Sequence, residues 1–193
     1  MSDQYKVALR NTIKQVRSKL SVSYRTASSN QICTRIRSLE QYRQAKRIAL
    51  YFAVNGEVDL TFLWKSAPLQ GKYCYFPVLN NDSTLSFLPA TPSTPFKTNK
   101  YDILEPDVDI ELALPVDELD LIIMPLVAFD AHCTRLGMGS GYYDRTLANK
   151  SKAHLLGVAY QFQRVDYIEP RPWDVPLDAV ITQKAIYWRN PLA

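Results

Sequence analysis

Leu119-Asp120-Leu121-Ile122-Ile123-Met124, followed a little further on by Arg135-Leu136-Gly137-Met138-Gly139-Ser140-Gly141-Tyr142-Tyr143-Asp144-Arg145, decides the fold. The first piece is a short apolar run of the kind found in strands buried on both faces. The second gathers Gly137, Gly139 and Gly141, half of the chain's six glycines, into one loop. Glycine lets the backbone turn tightly and approach a ligand closely. Tyr142 to Asn149 then reads as a helix. The glycines therefore lie in a short loop where a buried strand crosses to a helix. Free N–H groups and a positive dipole end at such a helix start make an anion cradle. The spacing is not Gly-x-Gly-x-x-Gly, and no Gly-Lys-Ser/Thr follows, so neither the usual dinucleotide site nor the P-loop is indicated. A purely structural glycine turn is the alternative. The flanking Arg135 and Asp144 favour phosphate.

Outward from this loop, strands alternate with helices. Arg47–Val54, Tyr73–Leu79, Leu85–Leu88, His154–Tyr160 and Ala179–Thr182 read as further strands. Residues 3–20 read as an amphipathic helix with Val7, Ile13, Val16 and Leu20 close to one face and Ser2 or Asp3 as cap. A second helix is expected from about Ser29 to Arg43, with Ile32, Ile36 and Leu39 on its apolar side. Asn55-Gly56 ends the first strand, and Glu57-Val58-Asp59-Leu60 is expected to start another helix. Residues 89–115 hold five of the twelve prolines and read as an irregular covering segment. The pattern predicts one α/β domain over residues 1–193, with a mostly parallel sheet covered by helices on both faces.

Composition narrows the function. The 193 residues are 47% hydrophobic and 22% charged, enough for a real core. A net charge of +4 suits an anionic small substrate without requiring one. No dense basic cluster with interleaved aromatics points to nucleic acid. No run reaches the roughly 20 apolar residues that span a bilayer. The first residues lack the apolar core of a signal peptide, so a cytoplasmic protein is expected. Cys33, Cys74 and Cys133 are scattered and odd in number, which reads as small buried hydrophobes rather than disulfides or a cysteine metal site. Two histidines, His132 and His154, leave little room for His-rich metal chemistry or a His-based triad.

Four features carry candidate chemistry beside the loop. Lys6, Arg10 and Lys14 stack on one helix face at i, i+4 spacing, able to grip phosphates, although spacing alone favours a solvated basic stripe. Asp144 closes the loop, and Asp174 lies in Trp173-Asp174-Val175-Pro176-Leu177-Asp178. Mg²⁺ at a nucleotide needs only one or two carboxylates besides phosphates and water, so this pair suits it. Taken alone, Asp174 reads as a turn residue. Glu57 follows a buried strand, at the end of an α/β strand where ligands bind. Taken alone, it reads as a helix-start carboxylate.

These pieces occur together, in this order, in one family. The sequence resembles 5-formyltetrahydrofolate cyclo-ligase, also called 5,10-methenyltetrahydrofolate synthetase. The matching elements are Lys6-x-x-x-Arg10, Gly56-Glu57-Val-Asp, Tyr75-Phe-Pro77, Tyr101-Asp-Ile-Leu-Glu-Pro106, Pro125-Leu-Val-Ala-Phe-Asp130, Arg135 through Arg145, and Trp173 through Asp178. The resemblance implies a Rossmann-like three-layer sandwich. It implies a ligase of one-carbon metabolism that closes 5-formyltetrahydrofolate to 5,10-methenyltetrahydrofolate, with ATP consumed and ADP and phosphate released. It assigns ATP to Lys6, Arg10 and the loop from Arg135 through Leu136, Gly137, Met138, Gly139, Ser140, Gly141 and Tyr142 to Tyr143. It assigns Mg²⁺ to Asp144 and Asp174, and the folate to Glu57. Phe52 and Tyr142 are the aromatics expected against the pteridine, with Tyr51 and Tyr143 nearby; sheet core is the plainer reading of Tyr51 and Phe52. No side chain is expected as a nucleophile, and the partners are ATP and folate alone, without nucleic acid or membrane, on a monomer. Two rivals remain at this point: a binder that keeps both pockets without turnover, and a sugar-phosphate isomerase or CoA-transferase relative on a similar fold.

Overall fold

A computed structural model describes residues 2–148 and 152–190. Helix α1, Asp3–Ser18, starts where the Ser2 hydroxyl accepts the Tyr5 N–H. Half of its expected apolar face is buried: Ile13 is, and Leu20 just past its end packs on the core. Val7 and Val16 are 53% and 41% exposed, while Lys6, Ile13 and Arg17 are buried. The reason is its place: α1 packs beside the cavity rather than on the main sheet, its Lys6 and Arg10 turn toward carbonyls of Glu169 and Gly137, and Leu9 joins an apolar cluster with Ala128, Leu136 and Ile168. Helix α2, Val22–Ser38, begins before the expected Ser29 because the Ser21 hydroxyl caps it by accepting the Tyr24 N–H. Leu39 is extended and separates it from α3, Glu40–Gln44, so one expected helix is two. Ile32, Ile36 and Leu39 are buried as expected. The Lys72 ammonium closes α3 by donating to the carbonyls of Tyr42, Arg43 and Ala45.

The strands follow. β1 is only Arg47–Ala49. Helix α4, Thr61–Ser66, starts later than expected, since Asp59 Oδ1 accepts the Thr61 N–H and leaves Glu57 in the preceding loop. The next strands are β2 Tyr73–Leu79, β3 Leu85–Pro89, β4 Phe96–Thr98, β5 Leu104–Pro106, β6 Leu121–Pro125, β7 Ala128–Phe129 and β8 Arg135–Leu136. Helix α5, Tyr142–Leu147, comes next, then β9 His154–Val158, β10 Ala179–Ile181 and β11 Ile186–Trp188. The glycine loop does not follow β6 directly, because the β7–β8 hairpin intervenes. Residues 89–115, read as irregular cover, contain the β4–β5 hairpin. Asn149, the expected end of α5, lies outside the described residues.

Seven strands form the main sheet in the order β11-β10-β9-β6-β1-β2-β3. The five inner strands are parallel, and the outer β3 and β11 run antiparallel to their neighbours. Side chains alternate between the two faces. Ile48, Leu50, Leu121, Ile123, Leu156 and Ile181 pack with α2, α3 and α4. Ala49, Ile122, Met124, Leu155 and Val180 pack on the other face with Leu147 of α5 and with Leu126, Phe129 and Leu177. This is the expected three-layer α/β arrangement, although the second cover is mostly hairpin and loop. Gly157 of β9 is needed there: a Cβ would come within 2.5 Å of Leu177 and 2.7 Å of Leu126. From β1 the chain steps to β2 on one side, and it later returns to the other side of β1 as β6. That reversal opens a crevice at the carboxyl ends of β1 and β6, where open α/β sheets take ligands.

Candidate active site

A cavity of about 730 Å³ occupies that crevice. Every residue that the family resemblance assigns to a site lines it, from Lys6, Arg10, Phe52 and Glu57 through the loop Arg135–Asp144 to Asp174.

One wall is the glycine loop. Gly139 and Gly141 have φ of +107° and +68°, a region that L side chains rarely adopt. α5 is only six residues long and its Gly141 cap offers no side-chain bond. Its dipole is correspondingly small, so the cradle depends on loop amides and on the cations beside it. Those cations come from α1. Arg10 Nε donates to the Gly137 carbonyl at 2.9 Å, and its guanidinium lies over Gly139. Burial pulls the Arg10 guanidinium below its ordinary value, with Asp3 opposing, yet an arginine stays charged. Lys6 is 6% exposed and donates to the Glu169 carbonyl at 2.8 Å. Lys6 and Arg10 are thus inward groups, not a solvated stripe. Lys14 is half-buried and does not reach the cavity lining.

Arg135 is committed to protein partners. Its Nη2 lies 2.5 Å from Asp144 Oδ1, and its Nη1 donates to the Val175 carbonyl. Asp144 Oδ1 also accepts the Val175 N–H at 3.1 Å. The two aspartates are therefore brought together by one contact between the loop and the segment carrying Asp174. Asp174 Oδ2 accepts the Arg171 N–H at 2.8 Å in a tight turn. Each carboxylate keeps one oxygen without a protein partner among the described residues. No group of three or more potential metal-binding side chains occurs among them. Two half-free carboxylates beside the glycine loop would fit a Mg²⁺ ion whose other ligands were oxygens of a bound phosphate and water.

The opposite wall is aromatic and carries one acid. Glu57 is 8% exposed, with Oε2 accepting the Val54 N–H at 3.1 Å. Its place after the Asn55-Gly56 turn puts it at the carboxyl end of β1. Burial raises the Glu57 carboxyl above its ordinary value, and Arg17, the Val54 amide and Lys14 oppose this. Phe52 stacks on Phe76 at 4.2 Å and meets Trp64 and Phe96 edge-on. It is a cavity wall braced by the core. Tyr51 is closer to pure core, its hydroxyl donating to the Val58 carbonyl at 2.6 Å. Burial, and then the Glu57 charge, push the hydroxyls of Tyr51 and Tyr143 above the ordinary phenol range, so both stay neutral.

Sequence reasoning missed the third wall. Asn99 and Tyr101 to Glu105, around the β4–β5 turn, also line the cavity, as do Arg171 and Trp173. Asn99 Oδ1 accepts the N–H groups of Tyr101 and Ile103, and Asp102 has φ +57°. The Asn-Lys-Tyr-Asp turn between two short alternating runs was the available signal.

An open, mostly parallel sheet with a phosphate-type loop, paired aspartates and an acid-bearing aromatic wall at its switch point defines an α/β enzyme acting on small molecules. The chain belongs to the 5-formyltetrahydrofolate cyclo-ligase family, whose model matches residues 2–183, and it is an enzyme of the ligase class. It is 40% identical to the 5-formyltetrahydrofolate cyclo-ligase of Haemophilus influenzae over 92% of this chain and 97% of that one. The solved 5,10-methenyltetrahydrofolate synthetase of Aquifex aeolicus superposes with a TM-score of 0.84 at 31% identity, covering 97% of this chain and 95% of that one. The corresponding synthetase of Mycoplasma pneumoniae gives 0.74 at 29% identity, covering 92% and 98%. No helix among the described residues is long and apolar enough to cross a membrane.

Proposed function

We propose that this chain converts 5-formyltetrahydrofolate to 5,10-methenyltetrahydrofolate with consumption of ATP, through a phosphorylated formyl group. The observation that carries this reading is the single cavity. The loop and cations suited to triphosphate share it with Glu57 and the aromatic wall suited to a pteridine. Shared walls support this reading because both substrates could meet within them, and positioning is most of what phosphoryl transfer asks of a protein.

The formamide oxygen is a poor leaving group. Its attack on the γ-phosphorus forms an O–P bond and expels ADP. N10 then attacks the activated carbon, the C–O bond breaks, and phosphate departs with the N10 proton. The methenyl bridge remains. Lys6, Arg10 and the loop amides stabilise charge on the phosphates. Asp144 and Asp174 would hold Mg²⁺, which supplies further charge neutralisation at the phosphates. Arg135 keeps Asp144 oriented. Phe52 and Tyr142 flank the pteridine, and Glu57 accepts hydrogen bonds from it. No side chain forms a covalent intermediate in this scheme. We read the chain as one domain with the cytoplasm as its compartment.

The test is a coupled assay. Near-ultraviolet absorbance of the methenyl product should appear from 5-formyltetrahydrofolate only with ATP, with one ADP released per product. Binding of both substrates without turnover would leave a non-catalytic binder. Product without ATP would remove the phosphorylated intermediate.

A further inference from the structure

We propose that Arg17 is a positioning residue that holds the Glu57 carboxylate toward the folate end of the cavity. The proposal rests on the reading of Glu57 as a folate contact. Arg17 does not itself line the cavity, and its side chain is 1% exposed. Its Nε donates to the Asn55 carbonyl at 2.8 Å, and its Nη2 lies 3.5 Å from Glu57 Oε1. Between those contacts sits Gly56, at φ +73°, where a Cβ would come within 3.0 Å of the Arg17 carbonyl oxygen. α1 thus lies directly on the turn that presents Glu57. The Val54 N–H holds the other carboxylate oxygen, and the Tyr160 hydroxyl donates to the Glu57 carbonyl.

The physical need for Arg17 is clear. A carboxylate this buried is costly without a paired cation. The charged and titratable groups facing Glu57 are Arg17 and Lys14 from α1, Tyr51 after β1, Tyr143 on α5 and Tyr160 after β9. The tyrosines are neutral, since burial pushes all three up. Arg17 is the cation in contact. With one prong on the turn and one on the acid, it leaves the remaining carboxylate lone pairs for the N–H donors on the edge of a pterin. Arg10 and Arg17 lie about 10 Å apart along one helix face. A single helix therefore steadies both the phosphate loop and the folate acid.

The experiment is steady-state kinetics, varying each substrate over pH, on Arg17→Gln, Arg17→Lys, Glu57→Gln and the double variant Arg17→Gln with Glu57→Gln. Loss of a charge-assisted contact should raise the folate KM about tenfold in Arg17→Gln and leave the ATP KM within about twofold. Sign matters in the pH profile. Arg17 favours the ionised acid, so its loss should move the acid limb of kcat/KM for the folate to higher pH. Arg17→Lys keeps the charge and loses one prong, and should raise the folate KM only about threefold. In the Glu57→Gln background, Arg17→Gln should add less than about twofold. If Arg17→Gln does not fold, the test passes to Arg17→Lys, whose threefold rise in folate KM should vanish in the Glu57→Gln background; lysine keeps the charge, so the acid limb is read only on Arg17→Gln. Equal changes in both KM values, or an unmoved acid limb, overturn the positioning role while Glu57→Gln still raises the folate KM. A folate KM unchanged in Glu57→Gln overturns the reading of Glu57, and this proposal with it.

Discussion

Gly139 has φ +107°, and an ideal Cβ there would stand 3.7 Å from the Arg10 guanidinium. Gly139→Val strains the backbone and puts two methyl groups beyond that Cβ, into the space a phosphate needs. Calorimetric titration should show ATP affinity reduced at least about tenfold in a chain that still folds, since nothing in the core touches this loop tip. Affinity near that of the parent would remove the loop from the phosphate site. Asp144→Asn keeps size and loses charge. Turnover should fall strongly and require more Mg²⁺, because an amide is a poorer ligand for a hard cation. An unchanged Mg²⁺ dependence would leave Asp144 only as the partner of Arg135. The cysteines show the other kind of residue. Burial pushes Cys33 and Cys74 up to about 12 and Cys133 up to about 11. A thiol held protonated in the fold contributes stability below its ordinary value of 9.0, and that contribution is lost as pH rises through 11 to 12. Iodoacetamide at neutral pH should label none of the three until the chain is denatured. The loop and the thiols were legible in the sequence, because glycine clustering and cysteine scatter are local facts.

Elements were legible where one periodicity acted alone, as in β2, β6 and β9. They were misread where a capping group or a break in the helical backbone intervened. Ser21 starts α2 early, Leu39 divides it from α3, and Asp59 delays α4 past Glu57. α1 is the instructive case. Its buried stripe is Lys6, Ile13 and Arg17, so a search for apolar repeats found Ile13 but took exposed Val7 and Val16 for its neighbours. What buries a lysine is the arrival of a carbonyl from residue 169, which no local pattern contains. The helix now carries a definite expectation. Lys6→Ala and Arg10→Ala should each raise the ATP KM about tenfold with little change in the folate KM, since charge-assisted bonds contribute on the order of 1.5–3 kcal/mol. Arg10→Lys should show a partial defect, because lysine cannot reproduce the guanidinium fork held between Gly137 and a phosphate. ATP kinetics unchanged in both alanine variants would make these contacts purely structural.

At the scale of the whole molecule, alternation of apolar and turn segments was enough to indicate a parallel sheet covered on both sides. It was not enough to reveal that the β4–β5 hairpin completes the cavity, because prolines and short strands look like cover until the turn at Asn99 is seen closing on the site. The two cores meet across a sheet with no slack. Gly157→Ala would press a methyl group against the buried Leu177 and Leu126, and overpacking of this kind costs about 1–3 kcal/mol. Thermal denaturation should show that loss with the KM values of the folded fraction unchanged. A neutral result would mean the leucines yield freely. The cavity also imposes an order on synthesis. α1 leaves the ribosome before the loop, and its Arg10 waits for Gly137, 127 positions later, and its Lys6 for Glu169, 163 positions later. Until Gly137 and Glu169 have emerged, the helix has basic side chains and neither of these carbonyls to hold. On the proposed reading, nucleotide therefore cannot template the folding of α1 by itself, and can stabilise only a chain whose α1, glycine loop and Glu169 segment have all emerged.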